Sequence, residues 1–81
     1  MNEELRVGTV VVYLAGPDQE SNGTREHPAI VTRVWGSGPR PTVNLKVFPD
    51  CGEPFDATSM QHWTSFGWPL DGRFAYCWRE V

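Results

Sequence analysis

Residues 42–48 read TVNLKVF, and their alternation is the clearest structural signal in the chain. Val43, Leu45 and Val47 fall on one side of an extended backbone, with Thr42, Asn44 and Lys46 on the other. Successive side chains of a strand point to opposite faces, so this spacing predicts a strand buried on one face and wet on the other, as in an antiparallel sheet. Turn chemistry brackets it on both sides: GSGPRP at 36–41 and PDCGEP at 49–54. A strand placed between two tight turns pairs with both neighbours, PAIVTRVW at 28–35 and FDATSM at 55–60.

Further out, VGTVVVYL at 7–14 is rich in β-branched residues and reads as a first strand. A polar loop follows at 15–26, AGPDQESNGTRE, punctuated by Gly16, Pro17 and Asn22-Gly23. In the second strand, Ile30, Thr32 and Val34 share a face that is expected over the core. The closing stretch RFAYCWREV, 73–81, sets Phe74, Tyr76 and Trp78 at strand spacing and predicts three core rings. Residues 61–72, with Trp63, Phe66 and Trp68 among Ser, Gly and Pro, read as a loop. Its tryptophans either lid the open end of the barrel or face a partner, the lid being slightly favoured. No long segment carries a helical period. Five short strands with compact turns predict an all-β fold, a small antiparallel SH3-like barrel, with an OB-like barrel as second choice.

At 81 residues the chain is expected to be one domain, 1–81. A core this small covers few side chains, yet aromatics make up 12% of the composition, so a homo-oligomer is expected. The net charge of −3 argues against binding duplex nucleic acid, which demands an excess of positive charge. It still allows a small phosphorylated ligand, because six of the seven basic residues are arginines. The amino-terminal MNEELRV lacks the basic start of a secretory leader, and the longest apolar run, VVVYLA, is too short to span a membrane.

Enzyme chemistry has little to stand on. Cys51, Cys77, His27 and His62 have none of the spacings of a metal site, and neither thiol has a sequence neighbour that would activate it. His27 reads as a strand entry. No catalytic residue, metal or cofactor is expected, and the cysteines read as reduced thiols. GSGPRP has glycines but no helix after it, so it fails the context of a phosphate loop, although its amides beside Arg40 form a weak anion nest.

HPAIVTRVW (27–35), TVNLKVFPDCGEP (42–54) and ATSM (57–60), followed by a Trp-rich end, resemble a widespread group of small proteins encoded by tailed phages and prophages. The likeness lies in an A-x-V-x-x-V-W strand and a V-N-L-x-V-F-x-D strand and turn, over residues 27–81. The chain departs at its end, CWREV, where many members finish in Trp-Pro. The resemblance implies a phage origin and action in the cytoplasm of an infected bacterium, with no catalytic residue to carry over.

Two functions follow. In the first, a non-catalytic counter-defence protein sequesters a small nucleotide-derived immune signal. Trp63, Trp68 and Trp35 would stack on a base, Arg33, Arg40 and Arg73 would take phosphates, and Asn44 and Ser59 would read base edges. His62 joins them by its loop position. The barrel has little interior to spare, so this site is expected between protomers. In the second, the same tryptophans anchor a host protein or another phage component.

Overall fold

The computed structural model describes residues 5–38, 40–66, 68–70 and 73–81, with the backbone alone at 66, 68–70, 73 and 74. Five strands, β1 (Val10–Leu14), β2 (Glu26–Trp35), β3 (Thr42–Val47), β4 (Phe55–His62) and β7 (Cys77–Glu80), close a barrel in that order. A single helical turn, α1 (Trp63–Phe66), and a hairpin of β5 (Trp68–Leu70) with β6 (Arg73–Ala75) stand between β4 and β7. The topology is a meander whose last strand returns beside the first, an SH3-like barrel. Four of its seams are antiparallel; the closing one, β4 with β7, is parallel. A parallel pair needs a connection of about a dozen residues, and 63–76 provide it. The stretch expected to be loop therefore holds a helical turn and a short strand. No helix among the described residues is long and apolar enough to cross a membrane.

The interior follows the alternation of β3. Val43, Leu45 and Val47 are buried, facing Val11 and Tyr13 of β1 and Ala57 of β4. The expectation for β2 is overturned over most of its length. Ala29 and Val31 point inward, while Ile30 is 38% exposed and Thr32 lies on the outside. The pairing with β3 slips between Val31 and Arg33, and a one-residue slip exchanges the faces of a strand. Only beyond that bulge does Val34 pack on the core, as expected. Ile30 instead lies outside, paired with Val10 and Lys46. A narrow barrel has reason to prefer Ala29 inside, where large and small residues must alternate.

Two further expectations change. β1 begins at Val10 rather than residue 7, because the chain turns at Val7 and Gly8, and the Gly8 N–H reaches back to the Val31 carbonyl at 2.7 Å. The closing stretch does not alternate as one strand. Tyr76 takes φ 59°, which breaks it into β6 and β7 and leaves Ala75, Cys77 and Trp78 all buried. Tyr76 itself is only half-buried, and the side chain of Phe74 lies outside the described residues.

The left-handed turn at Tyr76 holds down the long polar loop. The Tyr76 N–H donates to the Leu14 carbonyl at 2.6 Å, and its hydroxyl donates to Asp18. The ring covers Gly16, where an added Cβ would overlap both ring and hydroxyl. From inside the barrel, the Tyr13 hydroxyl donates to the Gln19 side chain at 2.7 Å. His27, expected as a simple strand entry, is fully buried and meets the Gln19 carbonyl through Nε2 at 2.9 Å. A carbonyl only accepts, so Nε2 carries the proton, and Nδ1 is left buried with no hydrogen-bond partner among the described residues.

Among the described residues, Trp78 is the largest fully buried side chain. Trp78→Ala should lower unfolding free energy by about 3–5 kcal/mol, most of what a domain this small possesses, as read from urea denaturation. Gly16→Ala should cost about 1–3 kcal/mol by forcing the Tyr76 ring aside, and Ile30→Ala much less than either.

Candidate functional site

A cavity of about 530 Å³ lies on the outer wall, where β1, β2 and β7 run side by side. Its position follows from register. Leu14 pairs with Glu26 of β2 on one side and Cys77 of β7 on the other, and Arg79 sits opposite Val12. Leu14 gives the cavity an apolar surface, flanked by Glu26 and Arg79; Gly23, Thr24 and Arg25 come from the hairpin turn, and Trp63 from the end of β4.

The turn is rigidly made. Asn22 and Gly23 both take positive φ, 51° and 85°, as a two-residue hairpin turn of the tightest kind requires. Its tip is tied to the turn between β3 and β4. Ser21 Oγ donates to the Cys51 carbonyl at 2.6 Å and accepts the Cys51 N–H at 2.9 Å, and Asn22 Nδ2 donates to Asp50 at 2.7 Å. Arg25 and Glu26 leave this anchored tip in fixed positions.

Among the described lining residues, Arg25 and Arg79 outnumber the one carboxylate, Glu26. Arg79 is held from two sides: Nη1 donates to the Glu80 carbonyl at 3.2 Å, and Nη2 meets Glu26 Oε2 at 3.1 Å. Trp63, 38% exposed, lines the same concavity. The described wall of the cavity thus combines an apolar surface at Leu14, the Trp63 side chain and the charged groups of Arg25, Glu26 and Arg79.

The residues expected to form one site are divided among three places. Trp63 lines the cavity. Arg33, Trp35, Asn44 and Ser59 meet at the other end of β2 from Glu26. There the Arg33 guanidinium lies 3.9 Å above the Trp35 ring, and Asn44 Oδ1 accepts from Trp35 Nε1 at 2.9 Å and from the Ser59 N–H at 2.8 Å. Bulges in β2–β3 and β3–β4, and φ 57° at Ser59, shape this patch, which leaves Trp35 44% exposed. Arg40 and His62 form the third group through Glu80. The side chains of Trp68 and Arg73, in the β5–β6 hairpin, lie outside the described residues.

His62 is not a surface ligand group, as its loop position had implied. It ends β4, is 1% exposed, and stands edge-on to Trp78 at 4.7 Å and 81°. The Thr64 N–H donates to Nδ1 at 3.3 Å, so the proton resides on Nε2, which donates to Glu80 Oε1 at 2.9 Å. The Thr64 hydroxyl also meets Nδ1, at 2.7 Å. These bonds fix the first turn of α1 and hence Trp63, its first residue. Glu80 is held below its ordinary carboxylate value chiefly by the His62 hydrogen bond, against the opposing effect of burial, with Arg40 at 3.6 Å assisting.

Sequence reasoning missed Leu14, Arg25, Glu26 and Arg79. Asn22-Gly23 was legible as a turn, which places Arg25 and Glu26 at a hairpin tip. Nothing local tells that β1 separates Glu26 from Arg79. Among the described residues, no group of three His, Cys, Asp or Glu is placed to hold a metal ion. Both cysteines are free: Cys51 is exposed, and burial pushes the Cys77 thiol up to about 11.

Two outcomes follow from these environments. Glu80 titrates lower in the folded protein than in the unfolded chain, so its contribution is complete above its ordinary value of 4.5 and is lost as pH falls through the lowered one. Urea midpoints measured from about pH 6 to pH 3 should therefore fall, and Glu80→Gln should flatten the decline. With a disulfide reagent near neutral pH, Cys51 should react at once and Cys77 only as the protein unfolds. Comparison with known proteins adds no relative: no family model, curated protein or solved structure matches the chain.

Proposed function

We propose that this chain is a non-catalytic binding protein that takes a small nucleotide-like molecule into the cavity beside Trp63. The observation that carries the reading is the meeting of one accessible indole with Arg25 and Arg79 around about 530 Å³ of space. That volume lies within the roughly 300–1,000 Å³ of small-molecule sites. A base stacks on Trp63, the apolar surface at Leu14 covers the sugar edge, and the arginines take the phosphate. Joined to the resemblance of its strand motifs to those of phage and prophage proteins, the proposal becomes a counter-defence protein that sequesters a nucleotide-derived signal in an infected bacterium.

The patch around Trp35 favours a second reading. An exposed Trp under an Arg is the composition of a protein-interaction anchor, and the patch is a sheet surface rather than a pocket. This reading makes the chain an inhibitor of a host factor or a minor phage component.

Calorimetry with a panel of linear, cyclic and ADP-ribose-type nucleotides separates the two. Binding by at least one member should weaken roughly tenfold or more in Trp63→Ala, since stacking one base on one ring contributes about 1–3 kcal/mol. Trp35→Ala should leave it unchanged. No heat from any nucleotide, with the protein folded, would turn the reading toward a protein partner at Trp35.

A further inference from the structure

We infer that Glu26 is a built-in competitor for the anion site of the cavity, holding Arg79 until a phosphate group displaces it. The inference rests on the binding reading above and assigns the group that sets which ligands enter.

Glu26 Oε2 occupies Nη2 of Arg79 at 3.1 Å, on the wall of the cavity. The carboxylate is 62% exposed and the guanidinium 38%, so the pair is solvent-screened and weak. Only the Glu26 side chain need move. Its backbone is tied to Thr24, whose Oγ1 accepts the Glu26 N–H at 3.1 Å, and to β1 through the pairing with Leu14. Arg79 does not follow it, because Nη1 stays on the Glu80 carbonyl at 3.2 Å and its backbone stays in β7 opposite Val12. When Glu26 swings outward, the arginine fork is left at the cavity already oriented. An incoming group must then offer Arg79 more than a carboxylate does. Phosphate, with three acceptor oxygens and the higher charge, meets that demand; a neutral or carboxylate ligand gains nothing by the exchange. Glu26 thus turns an indiscriminate cationic surface into one that favours phosphate.

The test uses the full chain with adenosine, AMP and inorganic phosphate as probes. Glu26→Gln removes the competing charge at an exposed position. It should tighten AMP about tenfold while leaving adenosine unchanged, and Arg79→Gln should remove that gain in either background. Titration of inorganic phosphate, followed by the NMR signal of the Arg79 side chain, should require less phosphate in Glu26→Gln than in the parent. If AMP and every other nucleotide of the panel fail to bind but phosphate still shifts Arg79 more readily in Glu26→Gln, the nucleotide reading falls and the competitor stands. If AMP binds and Glu26→Gln leaves its affinity unchanged or weaker, the competitor falls and the nucleotide reading stands. An Arg79 signal that phosphate moves in neither protein also overturns the competitor.

Discussion

The pairing of His62 with Trp78 is the contact on which the rest of the molecule depends. The two residues are register partners in the one parallel seam, and their rings meet edge to face at 4.7 Å. Closing the barrel there removes the open edges of β4 and β7 and covers the Trp78 indole. The same contact sets the surroundings of the cavity. With His62 fixed inside, the next residue, Trp63, must emerge at the surface, and Glu80 lies within reach of the imidazole. Indole, imidazole and carboxylate thus form a continuous path from core to wall, so core packing and cavity shape are one problem in this protein.

What could be read from the sequence was what is local. β3 is regular, and its two-residue period announced both its buried face and the class of fold. β2 and the closing stretch misled because each changes conformation midway. A bulge after Val31 reverses the faces of β2, and a left-handed Tyr76 breaks the alternation that seemed to align Phe74, Tyr76 and Trp78. Neither event has a glycine or proline to mark it; both are imposed by the closure of a narrow barrel. The candidate site was less legible still. Tryptophans and arginines could be nominated by type, but Glu26 and Arg79 meet only because β1 lies between their strands, and register over such distances leaves no mark in either segment.

Arginine also serves two opposite ends in this small protein. At Trp35, the Arg33 guanidinium lies flat against an indole, where it shields the ring and stiffens the patch. At the cavity, Arg79 bridges two acceptors, the Glu80 carbonyl through Nη1 and the Glu26 carboxylate through Nη2. Lysine would do neither, having no planar face to stack and no fork to orient. The bias toward arginine that composition alone could not interpret acquires a structural use at both places.

The double hydrogen bond between Ser21 and the backbone of Cys51 has a kinetic consequence. It splints the tip of the β1–β2 hairpin to the turn between β3 and β4, with Asn22 and Asp50 as a second strut. The lip of the cavity is therefore not a flap. A guest enters past rotating side chains, which relax in picoseconds to nanoseconds, rather than waiting microseconds for a loop to open. Under the proposed binding reading, capture of this kind is limited by how often ligand and protein meet.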